Sequence, residues 1–114
     1  MRGKFVLVQF PFDDGSASKL RPVLCLTDLM GLYRHVIVAY LTSRVPVVDP
    51  LPSDFVLAPS DPGFARSGLR VDSAMGLHRL LTLPVVAFKR ELGELEHGLQ
   101  LQVDERVRLM LRVG

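Results

Sequence analysis

Short apolar runs alternate with polar, glycine- and proline-containing breaks along most of the chain. The runs are rich in β-branched and aromatic residues and lie at 4–10, 21–27, 34–43, 55–58, 68–75 and 79–83. Runs of this length and composition, bounded by turn residues, are typical of β-strands. Residues 83–92 fit either a helical turn followed by a strand or a single strand. The pattern therefore predicts several short strands.

The C-terminal stretch follows a helical period instead. Apolar residues recur three to four positions apart with charged residues between them: Leu99, Val103, Val107, Met110 and Leu111. This spacing is typical of an amphipathic helix, which we predict over 97–112. No repeat or linker interrupts the chain. The elements predict one domain over 1–114, mainly β, with a small curled sheet or barrel and a C-terminal helix.

Composition supports a folded protein with a hydrophobic core. The chain has 114 residues, of which 48% are hydrophobic and 23% charged, and its net charge is +2. A disordered tail is not expected from these values. The only cysteine, Cys25, excludes an internal disulfide and lies in an apolar run, where we expect a small buried side chain. No signal peptide or membrane-spanning run is predicted, so we expect a cytoplasmic location.

Basic residues are mostly arginine, with lysine only at Lys4, Lys19 and Lys89. An arginine bias suits bidentate recognition of phosphate or carboxylate, but a GC-rich genome explains it equally well. The histidines have no ligand-like spacing with cysteine or carboxylates, and no phosphate-binding glycine loop occurs. The sequence therefore predicts neither a metal site nor a cofactor.

A few polar residues break the apolar pattern at strand ends. Arg21 begins a strand, and Thr42 with Ser43 ends the next one. Arg70 and Asp72 lie two positions apart in the predicted strand 68–75, where they would share one face. Ordinary structural roles remain open for all of them: Arg21 as a surface cation, Thr42 as a strand former, Arg70 and Asp72 as a surface ion pair.

If these residues converge, they fit RNA cleavage without a metal. Such cleavage needs a base for the 2′-hydroxyl proton and cations for the charge that develops on the phosphate. Asp72 suits the base, Arg21 and Arg70 the phosphate clamp, and Thr42 a hydrogen-bond donor. The arginines act electrostatically because their pKa lies far above neutral pH.

Two further segments carry weaker signals. The polar loop 13–19 is long for a hairpin and rich in small residues, which suggests mobility or ligand contact. The stretch "RELGEL", residues 90–95, carries opposite charges at an edge and predicts a solvated surface.

Four motifs in order resemble the PemK/MazF family of type II toxin–antitoxin toxins. They are "FVLVQFPFDDGSASKLRPVLCL", "VIVAYLTSR", "SGLRVDSAMGLHRLLTLP" and "KRELGEL", followed by the amphipathic helix. The resemblance covers residues 3 to 112. It implies an SH3-like small barrel of the CcdB and MazF type, usually a homodimer. It also implies a metal-independent, sequence-specific endoribonuclease that cuts single-stranded RNA, often mRNA, to a 2′,3′-cyclic phosphate, and a cognate antitoxin with an acidic segment.

The resemblance also assigns roles to residues. The family's "RP" arginine is Arg21, its "TS" pair is Thr42 with Ser43, and its Arg-x-Asp is Arg70 and Asp72, so the expected catalytic set is Arg21, Thr42, Arg70 and Asp72. Some members have a histidine or glutamate before the "RP" motif, where this chain has other polar residues. The expected RNA-binding residues are Ser16, Ser18, Lys19, Ser43 and Arg44. The alternatives are a non-catalytic protein on the same fold that binds RNA or an antitoxin, and a CcdB-like poison of a protein target.

Overall fold

A computed structural model describes residues 1–9, 20–45 and 51–114. The elements in chain order are β1 (Lys4–Gln9), β2 (Leu20–Cys25), β3 (His35–Thr42), β4 (Asp54–Leu57), α1 (Phe64–Ser67), β5 (Ser73–Pro84), a 3-10 turn (Val85–Ala87), β6 (Phe88–Glu94) and α2 (His97–Leu111). The predicted mainly β fold with a C-terminal helix is confirmed. The described part of the chain contains no helix that is both long and apolar enough to span a membrane.

The six strands form one antiparallel sheet in the order β4-β5-β3-β2-β1-β6. Both edges remain open among the described residues, so the sheet curls without closing into a complete barrel. The central strands are buried on both faces, which explains their nearly continuous apolar runs. Phe5 and Leu24 belong to the core cluster that packs under α2, whereas Val6, Val23 and Cys25 belong to the cluster on the other face.

Cys25 has the role predicted from the sequence. Its side chain is fully buried, and burial raises the pKa of the thiol to about 11. A protonated, inaccessible thiol is a weak nucleophile, so Cys25 acts as a core residue.

Three strand boundaries differ from the prediction. The runs 68–75 and 79–83 do not form two strands; a single strand, β5, begins at Ser73 and continues to Pro84. Residues 68–72 lie before it in a loop, and the tetrapeptide ahead of them forms α1, which the pattern did not indicate. The ambiguous segment 83–92 divides between the end of β5, the 3-10 turn and β6.

The late start of β5 follows from its neighbours. The last residue pairs at this end are Leu57 with Ser73 on β4 and Thr42 with Ala74 on β3. Beyond them, no strand among the described residues pairs with residues 68–72. An isolated extended segment has no partner for its backbone hydrogen bonds, so the chain turns away into a loop.

Helix α2 begins and ends close to the predicted bounds. The Glu96 carboxylate caps its N-terminus by accepting hydrogen bonds from the backbone N–H groups of Gly98 and Leu99, at 2.9 and 3.3 Å. Leu99 and Val103 are buried in the core, whereas Leu111 is more than half exposed. The predicted apolar face therefore packs along the first turns of α2 and extends beyond the core at its end.

An ion pair between Arg2, near the N-terminus, and Asp104 of α2 makes a pH-dependent contribution to the free energy of unfolding. Arg2 donates two hydrogen bonds to Asp104 of α2, at 2.9 and 2.8 Å. These bonds hold the pKa of the Asp104 carboxyl below its ordinary value of 3.8, against the opposing effect of partial burial. In acid the unfolded state therefore binds more protons at this site than the folded state.

We expect Asp104→Asn to make stability less dependent on pH in acid. The contribution of Asp104 is fully present above pH 3.8 and is lost as the pH falls through the lower folded pKa. The difference in unfolding free energy between wild type and variant should therefore be largest at neutral pH and shrink as the pH falls below 3.8. Urea unfolding across this pH range measures it. A difference that stays constant with pH would contradict the assignment.

Candidate nucleic-acid interface

The segments with the predicted site residues meet at one end of the sheet. Arg21 lies at the start of β2 opposite Val8 of β1, and Thr42 is the last residue of β3. Arg70 lies in the loop between α1 and β5. Together with Ser43 and Arg44, which follow β3, these residues line a cavity of about 380 Å³ that we call the arginine cavity. The structure therefore brings five of the predicted site residues together at one cavity.

The arginine cavity combines apolar and cationic lining residues. Its apolar lining, which we call the floor, includes Leu7, Pro22, Leu41 and Leu92, and four arginines also line it, Arg21, Arg44, Arg70 and Arg90. No aspartate or glutamate is among the described residues that line it. A concave surface with clustered guanidinium groups concentrates anions and suits the planar, bidentate recognition of phosphate.

The cavity arginines differ from several others in their partners. Arg2, Arg66 and Arg108 form ion pairs with Asp104, Glu94 and Glu105, respectively. None of the four cavity arginines is within ion-pair distance of a carboxylate in the described ranges. Within the described ranges, therefore, no carboxylate compensates the charge of these four arginines.

Thr42 has a defined orientation at the cavity. Its Oγ1 accepts a hydrogen bond from the backbone N–H of Arg44 at 3.1 Å. This bond fixes the turn after β3 and uses a lone pair of the hydroxyl, so its proton remains available for donation. A hydroxyl held in this way can donate to a phosphate oxygen.

The expected strand geometry of Arg70 and Asp72 is wrong. Both residues are exposed in the loop before β5, and no ion pair joins them although both are described. Asp72 is not among the lining residues, whereas its neighbours Val71 and Ser73 are. The buried Ser73 donates a hydrogen bond from Oγ to the carbonyl oxygen of Val71 at 3.1 Å, which shapes this turn.

The loop 68–72, which contains Arg70, is held at its N-terminal end by contacts with α1. The buried Ser67 donates from Oγ to the Phe64 carbonyl oxygen at 2.5 Å and accepts a hydrogen bond from the Leu69 N–H at 3.1 Å. Gly68 then follows with a left-handed φ of +73°, directly against the backbone of Leu92 in β6. These contacts place the loop beside β6 and hence beside the cavity.

Sequence reasoning missed Arg90. Residues 90–95 were predicted to be a solvated surface, yet Arg90 lines the cavity from β6. The apolar residues that form the floor carried no signal of their own, because they look like ordinary strand residues. Ser16, Ser18 and Lys19, also predicted to bind RNA, lie outside the described residues.

A larger, mostly apolar groove lies elsewhere, between α2 and residues 51–53. It has a volume of about 940 Å³ and is lined in part by Leu51, Leu101 and Leu109. Ser53 Oγ and His78 Nδ1 are hydrogen-bonded at its edge, 2.9 Å apart. None of the predicted site residues that the structure describes lines this groove. Its chemistry does not suit an anion as well as that of the arginine cavity.

Comparison with known proteins identifies one family. The sequence profile described as "PemK-like, MazF-like toxin of type II toxin-antitoxin system" matches residues 1–111. No curated protein matches the chain.

Solved structures from mycobacteria share the fold. The Mycobacterium tuberculosis toxin MazF-mt6 is 23% identical, with a TM-score of 0.70 over 97% of this chain and 98% of that one. A mycobacterial endoribonuclease in complex with its cognate antitoxin is 18% identical, with a TM-score of 0.69 over 100% and 96% of the two chains. Another mycobacterial endoribonuclease is 16% identical, with a TM-score of 0.68 over 99% and 91%. At this level of identity the likeness establishes the fold.

Proposed function

Because the chain belongs to the PemK-like, MazF-like toxins of type II toxin–antitoxin systems, we propose that it is a metal-independent, sequence-specific endoribonuclease that cleaves single-stranded RNA. The observation that carries this proposal is the arginine cavity. Four arginines without described carboxylate partners line it together with Thr42 and the apolar floor. This arrangement suits an RNA phosphate with a base packed against the floor.

Cleavage proceeds by attack of the 2′-oxygen on the adjacent phosphorus. The bond from the 2′-oxygen to phosphorus forms while the bond from phosphorus to the 5′-oxygen breaks, which leaves a 2′,3′-cyclic phosphate and a 5′-hydroxyl. The proton of the 2′-hydroxyl goes to a base, and the departing 5′-oxygen takes a proton from water. Arg21 and Arg70 stabilise the charge on the phosphate oxygens, and Thr42 donates a hydrogen bond to one of them.

Asp72 is the proposed base, and its position requires the side chain to change orientation when RNA binds. It lies between two lining residues, Val71 and Ser73, but does not itself line the cavity. To reach the 2′-hydroxyl, the carboxylate has to turn inward when RNA binds. Catalytic contacts that are absent from a free enzyme often form only in the substrate complex.

A second candidate function is binding of RNA or antitoxin without cleavage. The position of Asp72 outside the cavity lining and the absence of an ion pair with Arg70 favour it. The four arginines suffice to bind phosphate even without a base nearby. An assay for RNA cleavage, described below, distinguishes the two functions.

We propose a cognate antitoxin as the physiological partner. One structural neighbour is an endoribonuclease in complex with its cognate antitoxin. An acidic antitoxin segment would supply the carboxylates that the described residues do not place beside the cavity arginines. A homodimer and a cytoplasmic location remain predictions.

The decisive experiment is cleavage of a long unstructured RNA by the purified protein in excess EDTA. We expect discrete fragments that end in a 2′,3′-cyclic phosphate. The same RNA with 2′-O-methyl groups throughout should stay intact, because it lacks the attacking hydroxyl. Intact unmodified RNA, from protein that is folded and free of antitoxin, would refute the nuclease and favour the binding function. Cleavage of the 2′-O-methyl RNA would refute the mechanism.

A further inference from the structure

Arg90 lines the arginine cavity from β6, a strand that carries none of the predicted site residues. It lies on β6 opposite Leu7 of β1, which in turn lies opposite Pro22 of β2. Residues directly opposite each other on neighbouring strands place their side chains on the same face of the sheet. All three residues line the arginine cavity. The guanidinium of Arg90 therefore projects from the same surface as the cavity floor.

The charges near Arg90 on β6 are paired elsewhere. Glu91 and Glu94 lie 3.7 and 3.6 Å from Lys4 Nζ, and Glu94 also pairs with Arg66 at 3.7 Å. Arg90 forms no ion pair with a carboxylate in the described ranges. Within the part of the chain that the structure describes, Arg90 is thus an exposed cation with no carboxylate partner, and its charge can bind an external anion.

The sheet order separates Arg90 from Arg21 and Thr42. Arg21 and Thr42 lie on the adjacent strands β2 and β3, whereas β6 lies two strand spacings from β2, about 10 Å away. Arg21 and Arg90 thus approach the cavity from different sides. A chain of successive phosphates crossing the cavity would meet them in turn.

We propose that Arg90 binds a phosphate of single-stranded RNA next to the scissile one and thereby contributes to affinity rather than to the chemical step. This role rests on the proposed function, because it assumes that RNA occupies the cavity. Loss of a contact made equally in the ground state and the transition state raises KM and leaves kcat unchanged. Arg90→Ala should therefore raise KM about tenfold or more, the effect of losing one charge-assisted hydrogen bond, with kcat within about twofold of wild type.

The salt dependence of binding tests this role without any cleavage. An unstructured RNA with 2′-O-methyl groups throughout serves as the uncleavable probe, and its Kd is measured over a range of salt concentrations. Each phosphate contact to a single strand contributes about 0.7 to the slope of log K against log salt. We expect the slope to fall by about 0.7 in Arg90→Ala and to stay unchanged in Arg90→Lys, which keeps the charge.

Lys89→Ala is the matched control, since Lys89 is an adjacent exposed cation that does not line the cavity. Its slope should equal that of wild type, and thermal unfolding verifies that each variant is folded. An unchanged slope and KM in Arg90→Ala, with RNA cleavage intact in the wild type, would overturn the role of Arg90 alone. A reduced slope in Arg90→Ala, without cleavage by the wild type, would support the phosphate site and refute the nuclease.

Discussion

Replacing Arg21 by alanine is expected to lower kcat for RNA cleavage by about 10² to 10³-fold. Arg21 lies near the start of β2 and lines the cavity together with Thr42 and Arg70. A preorganised donor that faces developing charge has an effect of this size when it is removed. The measurement is single-turnover cleavage of an RNA that contains a site cut by the wild type, in excess EDTA.

The control for Arg21→Ala is Arg108→Ala. Arg108 pairs with Glu105 on the exposed surface of α2 and does not line the arginine cavity, so its loss should leave cleavage within about twofold of wild type, as expected of a surface ion pair.

Asp72→Asn, in the same assay, distinguishes the clamp from the base. An amide of the same size cannot accept the 2′-hydroxyl proton, so kcat should fall while RNA binding persists. Full activity in Arg21→Ala would exclude this cavity as the reaction centre, and full activity in Asp72→Asn would exclude Asp72 as the base.

Replacing Gly68 by alanine is expected to destabilise the protein by about 2 to 5 kcal/mol. A Cβ at Gly68 would lie 2.1 Å from the carbonyl oxygen of Leu92 in β6, and the left-handed φ of +73° adds conformational strain. The strain costs about 1–2 kcal/mol, and the overlap with a backbone atom costs about 1–3 kcal/mol. Urea unfolding measures the loss. Because the loop with Arg70 begins here, cleavage should fall as well under conditions where the variant remains folded.

Gly31→Ala separates the two costs. Gly31 has nearly the same conformation, with a φ of +76°, but nothing lies within 4 Å of a Cβ built there. It is in the turn between β2 and β3, at the far end of these strands from Arg21 and Thr42. We expect a loss of only about 1–2 kcal/mol and unchanged cleavage. Equal losses in both variants would show that the contact with β6 does not position the loop.

Much of the fold could be predicted because its signals are local. The apolar runs that became β1, β2, β3 and β4 are bounded by prolines, glycines and polar turns, and their ends lie within two residues of the observed ones. Helix α2 was predictable from its period and from Leu99 and Val103, which are buried in the core. In each case the residues that specify the element belong to the element itself.

The loop 68–72 was mispredicted because its conformation is decided by distant neighbours. Its sequence alternates like a strand, but β3 and β4 stop pairing at Ala74 and Ser73. Ser67 and Gly68 then attach the segment to α1 and β6. Neither where a neighbouring strand ends nor the close approach to Leu92 can be read from the segment itself.

Arg90 was missed for a related reason. The pairing of β1 with β6 shifts register twice, between Phe5 and Val6 and between Leu7 and Val8. Each shift breaks the simple alternation of faces, so the sequence of β6 does not reveal which side chains face the cavity. The charged pattern of 90–95 was therefore indistinguishable from an ordinary solvated edge.

The sequence by itself determined β1 to β4, the terminal helix and the identity of Arg21, Thr42 and Arg70 as residues that interrupt an apolar pattern. These features depend on side-chain type and on spacing along the chain. Only the tertiary structure decided that the arginines face one cavity, that Arg90 joins them and that Asp72 lies beside the lining. Those relations depend on strand order and on register between segments as far apart in the chain as Leu7 and Arg90. Pairing between distant strands is set by packing of the whole sheet, which no single stretch of sequence encodes.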